Sequence, residues 1–152
     1  MNALLGFEPS DEEIPDHVID GAEMLFGVKY PATYRQLIRE FSGSYGDVDF
    51  RVDRPSPGFD YCSVGLILSL LPCSSESVYG TLSTWPEHDL SGRIIPFGVD
   101  GGGNYVCFDY RESEVPQIVL YFHELPGEDG IMRVCDTFDE FLGRLRMPAE
   151  ED

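Results

Sequence analysis

The chain has 152 residues, 42% of them hydrophobic and 12% aromatic, and its 28 Asp and Glu against 10 Lys and Arg give a formal net charge of −18. This apolar content excludes an intrinsically disordered chain, and the length predicts a single domain over residues 1–152. No apolar run approaches the roughly 20 residues that span a bilayer, and the N-terminus lacks a signal-peptide pattern, so we expect a soluble, cytoplasmic protein that binds no membrane. The charge excludes nucleic acid as a direct ligand and is compatible with either a basic protein partner or a purely solubilising role.

Two N-terminal segments have helical periodicity. The first spans residues 16–26, is ended by Gly27, and has an apolar stripe of Val18, Ile19, Ala22, Leu25 and Phe26. The second begins at Pro31, is stopped by Ser42-Gly43, and has a stripe of Tyr34, Leu37, Ile38 and Phe41. Because the connection between them is so short, the two helices are predicted to pack as a hairpin.

The middle of the chain has a mixed pattern. Alternation over residues 48–52 predicts an exposed or edge strand, residues 55–58 a loop, and the apolar stretch 61–71 a buried strand, with a helical turn over 66–71 as the alternative. Ser74 or Ser75 is expected to cap a short helix that carries Val78, Leu82 and Trp85 and is closed by Pro86.

Residues 94–110 predict a β-hairpin, because two apolar runs flank a loop of Asp100, Gly101, Gly102, Gly103 and Asn104. Glycine accepts positive φ, and Asp and Asn side chains bond nearby backbone groups, so the loop suits a tight reversal. A phosphate-binding loop would instead need a helix directly after the glycines and a lysine within reach. The following residues alternate as a strand with one face in the core, which favours a structural turn.

The C-terminal part continues the same meander. A third strand over residues 116–123 places Ile118, Leu120 and Phe122 on one face. Thr137 and Glu140 fit a capping box for a closing helix whose stripe is Phe138, Phe141, Leu142 and Leu145. An acidic tail follows over residues 147–152.

The sequence lacks an enzyme motif. No two of the three histidines, His17, His88 and His123, have metal-ligand spacing, and neither a GxSxG elbow nor an HExxH helix occurs. His123 with Glu124 forms a candidate base and orienting pair, although a structural strand-end histidine is the simpler interpretation. The spacing of Cys62, Cys73, Cys107 and Cys135 matches neither a zinc site nor a disulfide scaffold and predicts free thiols. We expect no catalytic residue, metal or cofactor.

The order of these motifs resembles the SUKH superfamily, which includes bacterial immunity proteins and the yeast cell-wall-assembly and killer-toxin-resistance regulator. The resemblance covers a core of about residues 14–145 and lies in Ile19–Glu23, in the helix start at 31–34, in the glycine hairpin and in the closing Phe-x-x-Phe-Leu segment. It implies an α+β fold, in which an N-terminal helical hairpin, a middle helix and a C-terminal helix pack on a twisted, mainly antiparallel sheet. The residues that carry the structural motifs are Pro31, Tyr34, Pro96, Phe97, Asp100, Gly101, Gly102, Gly103, Asn104, Asp109, Phe138, Phe141 and Leu142.

The resemblance also implies a non-enzymatic protein that binds and neutralises a cognate toxin domain, often a nuclease. The charge favours a basic partner, and hence a basic nuclease among such toxins. The alternative is a general protein-interaction or regulatory module in which acidity serves solubility. Candidate partner-binding residues are carboxylates predicted to be exposed: Asp47, Asp49, Glu76, Glu87, Asp89, Glu112 and Glu114.

Overall fold

The computed structural model describes residues 4–52 and 61–148. Within these ranges it contains one antiparallel sheet, whose six strands lie in chain order: β1 (Tyr45–Arg51), β2 (Tyr61–Ile67), β3 (Ile94–Val99), β4 (Tyr105–Asp109), β5 (Gln117–Tyr121) and β6 (Ile131–Cys135). The helices are α1 (Asp16–Phe26), α2 (Ala32–Phe41), α3 (Val78–Leu82) and α4 (Phe138–Arg144), with short 3-10 helices at Trp85–His88 and Gly127–Gly130. This architecture confirms the predicted α+β class.

The N-terminal helical hairpin is present as predicted. α1 ends at Gly27, which has a left-handed φ of 71°, and α2 begins directly after Pro31. Antiparallel packing of the two helices brings Arg39 to 2.6 Å from Asp16 and Arg35 to 2.9 Å from Asp20. The polar sides of the helices are thus joined by ion pairs.

The apolar stripe of α1 differs from the prediction at one position. Leu25 is 69% exposed, whereas Glu23 is only 6% exposed. At 100° per residue, Ile19, Ala22, Glu23 and Phe26 lie within one sector of the helix, and Leu25 lies well outside it. Glu23 therefore occupies a position that an apolar residue would otherwise fill.

Aromatic rings form the centre of the main core, between the sheet and the helices. Phe97 of β3 stacks on Phe108 of β4 with ring centroids 4.4 Å apart, and Tyr34 and Phe138 meet these rings edge-on. Phe141 contacts Phe97 from α4 at 5.5 Å. The aromatic residues of the sequence motifs are thus packed against one another.

The opposite face of the sheet carries a second buried cluster: Trp85, Ile94, Cys107, Val119 and Tyr121. The Trp85 Nε1 donates a hydrogen bond of 2.8 Å to the Ile94 carbonyl. The sequence predicts one core face for the hairpin, but β4 is buried on both, because the segment containing α3 and the following 3-10 helix covers the second.

The short middle helix differs from its predicted form. Ser77, rather than Ser74 or Ser75, caps α3 by accepting a hydrogen bond from the Gly80 amide at 2.9 Å. Backbone bonds from Ser69 to Glu76 and Val78 hold the preceding residues in an extended pairing, so the helix cannot begin earlier. Trp85 belongs to a separate 3-10 helix that contains Pro86, so Pro86 does not close α3.

The sheet is curled, so that α4 reaches both of its edges. One nitrogen of Arg144, Nη1, donates to the Arg51 carbonyl of β1 at 3.2 Å and to the Val134 carbonyl of β6 at 3.1 Å. Asp49 of β1 exchanges two backbone hydrogen bonds of 2.9 Å with Arg146, and Phe7 bridges Gly46. These contacts cover the outer edge of β1, which protects it from pairing with another chain.

The structure of residues 61–71 agrees with the predicted strand rather than with a helical turn. Residues 66–71 contain no helix, which excludes the helical alternative, but β2 ends at Ile67, four residues before the predicted end of the strand. The sequence did not predict β6. The predicted loop at 55–58 and the tail beyond residue 148 lie outside the described residues. The longest described helix, α1, has 11 residues, and no helix in the described part of the chain is long and apolar enough to cross a membrane.

Candidate functional site

The glycine loop is held by side chains at its two ends. Asp100 Oδ1 accepts hydrogen bonds of 2.8 Å from the amides of Gly102 and Asn104, and Gly103 takes a φ of 83°. Asn104 Oδ1 in turn accepts from the His123 amide at 3.1 Å and lies 2.9 Å from His123 Nδ1. The His123 ring is thus oriented by Asn104 of the loop rather than by its neighbour Glu124.

Two of the thiols, those of Cys62 and Cys107, are poorly suited to nucleophilic chemistry. No disulfide joins the four cysteines within the described residues, and Cys107 and Cys135 are buried. Burial raises the pKa of Cys62 to about 11, with Asp100 and Asp49 adding to the effect, and raises that of Cys107 well above its usual value. Because the thiolate is the reactive form, these two groups are inert at neutral pH. In residues 4–52 and 61–148, no cluster of three His, Cys, Asp or Glu could hold a metal ion.

Much of the positive charge of the protein takes part in intramolecular contacts. Within the described residues, the ion pairs between arginines and acidic side chains include those of Arg35 with Asp20 and Glu23, Arg39 with Asp16, Arg111 with Asp109 and Glu128, Arg133 with Asp136, and Arg144 with Glu140. The Arg93 guanidinium donates to the Gly27 carbonyl at 3.0 Å and lies over the Tyr110 ring. The carboxylates outside these pairs dominate the surface field.

Three of the candidate carboxylates form a group near β1, here called the β1 group. Asp47 is exposed and Asp49 half-buried, and both point away from the face that buries Val48 and Phe50. Glu76 accepts a hydrogen bond from the Tyr45 hydroxyl, which brings it beside the start of the same strand.

The other four carboxylates form a loop group. Glu87 and Asp89 are exposed on the Trp85–His88 3-10 helix and just after it, and Glu112 and Glu114 are exposed between β4 and β5. Asp89 lies against Gly127, while Arg111 pairs with Glu128, so both segments contact the same second 3-10 helix. Since β2 and β3 separate β1 from β4, the seven carboxylates form two groups rather than one site.

Sequence reasoning missed an exposed apolar surface beside the loop group. Met24 is 84% exposed and Leu25 69%, and we call this end of α1 the Met24–Leu25 ridge. A groove lies on each side of it. The first is lined by Met24, Lys29, Arg93, Tyr110, Glu114 and Val115, among others, and the second by Leu25, Tyr79, Trp85, Pro86, Leu90 and Gly92, among others. The sequence feature that could have revealed this surface is the pair of adjacent large apolar residues, Met24 and Leu25, at the end of the predicted first helix.

Comparison with known proteins assigns the chain to a family. Residues 10–144 match the SMI1 / KNR4 family (SUKH-1). The chain belongs to this family. A curated relative, the intraflagellar transport protein 46 homolog of Danio rerio, is 23% identical over 132 residues, which are 77% of this chain and 34% of that protein. The chain thus spans about a third of that relative's length.

The SUKH-1 match covers every residue discussed as a motif or candidate contact. The motif residues from Pro31 to Leu142 fall within it, as do both carboxylate groups and the Met24–Leu25 ridge. The resemblance inferred from the sequence is therefore confirmed at the level of the family.

Proposed function

We propose that this SUKH-1 member is a single-domain, cytoplasmic immunity protein that binds and neutralises a cognate bacterial toxin domain without catalysing a reaction. The observation that carries this proposal is a set of carboxylates, exposed except for the half-buried Asp49, that the arginine ion pairs leave unneutralised. In the described residues, no ion pair involves Asp47, Asp49, Glu87, Asp89, Glu112 or Glu114. Such a surface accelerates association with a cationic protein and repels anionic ones.

The partner that best fits this charge is a basic nuclease. A nuclease binds phosphates through cationic side chains, and carboxylates placed on these side chains exclude the substrate. The same charge opposes direct binding of nucleic acid and of anionic lipid by the immunity protein itself. The carboxylates of the β1 group and of the loop group supply the proposed contacts.

The test uses the toxic domain encoded beside the gene. Co-expression of the wild-type protein is expected to restore growth of cells that produce the domain, and titration in vitro is expected to abolish its nuclease activity at one equivalent. Replacing Glu112 and Glu114 together by Gln is expected to weaken inhibition, whereas replacing Glu8 and Asp11 by Gln and Asn is the charge-matched control. A wild-type protein that does not bind the domain at low salt would refute the proposal.

The second candidate is a general protein-interaction or regulatory module, in which acidity serves solubility alone. The similarity to a protein named for intraflagellar transport favours it, because that name describes a role outside immunity. If the protein is such a module, no toxin gene is expected beside its gene. Variants in which the candidate carboxylates are replaced by amides are then expected to bind the same partner as the wild type.

A further inference from the structure

We infer that the Met24–Leu25 ridge is the docking surface for the partner, and that it receives a positively charged protein surface from which apolar side chains project into the two grooves. The inference rests on the proposed function and adds to it the face that binds and the chemistry of the partner's contact.

Exposure of the ridge is the first argument. Among the described residues, the large apolar side chains that are exposed include Met24, Leu25 and, at 65%, Val115 of the neighbouring groove. Single exposed apolar residues are common on protein surfaces, but several that adjoin one another mark an interaction site. Leaving Met24 and Leu25 in water costs free energy that burial against a partner would recover.

Continuity of the two grooves is the second argument. The first groove includes Met24 and Arg93, and the second includes their chain neighbours Leu25 and Gly92. The grooves therefore meet along the ridge and form one surface rather than two separate pockets. Its apolar walls include Tyr79, Leu90 and Val115, which suits apolar anchors from a protein partner.

Charge at the rim is the third argument, and it defines the occupant. Glu114 lines the first groove, and Glu112 is two residues before it in the same exposed loop. Glu87 and Asp89 are exposed in the segment between Pro86 and Leu90, two residues that line the second groove. No described cation pairs with these four carboxylates.

The cations of this surface do not reverse its sign. Lys29 and Arg93 both keep their positive charge, since the Gly27 carbonyl and the Tyr110 ring that contact Arg93 are uncharged, but the four carboxylates outnumber these two cations. An apolar centre with an acidic rim matches a cationic surface that carries apolar anchors.

The first test measures binding of a catalytically inactive form of the neighbouring toxin domain by calorimetry. Replacing Met24 and Leu25 together by Ser is expected to weaken binding at least about tenfold, and replacing both by Lys more strongly, because the lysines also repel the partner. The matched control is Leu5→Ser, which removes an apolar side chain that is 48% exposed in another part of the surface. Circular dichroism confirms that each variant is folded.

The outcomes separate this inference from the proposed function. Binding by both ridge variants that is as strong as that of the wild type would overturn the inference and leave the immunity function in place. Loss of binding when Asp47 and Asp49 are replaced by Asn would then place the contact at the β1 group alone. If the wild type does not bind the toxin domain, the proposed function fails, and a second probe decides the inference.

That probe is a short synthetic amphipathic peptide of leucine and lysine, followed by nuclear magnetic resonance of the labelled protein. Shifts are expected to concentrate at residues 20–29, 79–92 and 110–115 and to disappear in the Met24→Lys, Leu25→Lys double variant. Shifts spread evenly over both carboxylate groups, or retained in this variant, would contradict the inference.

Discussion

At the scale of single residues, Glu23 connects the two N-terminal helices. Its Oε2 accepts a hydrogen bond of 2.7 Å from the Tyr30 amide, and its Oε1 accepts one of 2.6 Å from Arg35. A buried carboxylate is costly unless it is paired and hydrogen-bonded, and here both conditions are met. The acidic residue of the Ile-x-x-Ala-Glu motif thus has a structural role.

Glu23→Ala is expected to destabilise the protein by about 2–4 kcal/mol, because the Tyr30 amide and Arg35 both lose a buried partner. Glu23→Gln keeps an acceptor for the amide and is expected to cost less. Urea unfolding measures both changes, with Asp20→Asn as the control at the exposed end of the same ion-pair network. A cost for Glu23→Ala no larger than that of the control would contradict this role.

Two buried tyrosines of the core have unusual hydroxyl groups. Those of Tyr30 and Tyr34 have no hydrogen-bond partner within the described residues. Burial raises the pKa of both phenols far above the usual value of 10.0, because the phenolate cannot be solvated in the core. These phenols therefore stay protonated in the folded state at pH values at which they ionise in the unfolded chain.

This difference predicts a loss of stability at alkaline pH. Below about pH 10, the pKa of tyrosine in the unfolded chain, both phenols are protonated in the folded and the unfolded states, and their contribution to stability is fully present. Above about pH 10 the free energy of unfolding decreases by about 1.4 kcal/mol per pH unit for each phenol, because only the unfolded chain loses the proton. Tyr34→Phe is expected to flatten this decrease and to leave stability at pH 7 unchanged or slightly higher, since the lost hydroxyl has no partner. Urea unfolding from about pH 8 to pH 11 is the measurement. Parallel curves for wild type and variant would refute the assignment.

At the scale of elements, the side chain of Arg144 contacts both edges of the sheet. Arg144 on α4 donates to carbonyls of both β1 and β6 and also pairs with Glu140 at 2.8 Å. The edges of a curled sheet are weak points unless they are covered. Arg144 therefore contributes to holding the sheet closed.

Arg144→Ala is expected to cost about 1–3 kcal/mol, because two carbonyls lose a charged donor. Hydrogen exchange is expected to accelerate in β1 and β6 more than in β3 and β4. Arg39→Ala is the matched control, since its ion pair with Asp16 is largely exposed and is worth about 0.5 kcal/mol or less. Equal effects of the two substitutions would argue against a closing role for Arg144.

Elements with strong local signals were predictable from the sequence. α1, α2 and α4 have apolar stripes and capping or stop residues, and the glycine loop specifies its own hairpin. β6 has no such signal, because its five residues do not alternate and its pairing with β5 is formed through tertiary structure. The start of α3 was mispredicted for the same reason, since a tertiary pairing at Ser69 fixes it.

At the scale of the whole molecule, excess charge acts on stability as well as on binding. With a net charge of −18, like charges repel throughout the folded surface, and the ion pairs formed by the arginines offset only part of this repulsion. Salt screens this repulsion over a distance of about 10 Å at 0.1 M.

The free energy of unfolding is therefore expected to rise by about 1 kcal/mol between roughly 10 mM and 300 mM sodium chloride. The rise is expected to be smaller when Glu112 and Glu114 are replaced by Gln. Sucrose at matched osmolality controls for solute exclusion. A decrease in stability with salt would mean that the internal ion pairs outweigh the repulsion.

The candidate site was predictable in kind but not in arrangement. Composition and predicted loops identify Asp47 and Glu112 as exposed acids, yet only the strand order shows that they lie in separate groups. The Met24–Leu25 ridge was missed because Leu25 fits a helical stripe when the buried Glu23 is assumed to face solvent.

The position of Trp85 gives the molecule an internal optical reporter. The chain has a single tryptophan, which is buried in the second cluster and also forms part of the wall of one groove beside the ridge. Its fluorescence therefore follows that cluster rather than the main core. Unlabelled protein is thus suited to stopped-flow detection of a protein that docks in this groove, and to recognising whether the second cluster melts before the rest of the fold.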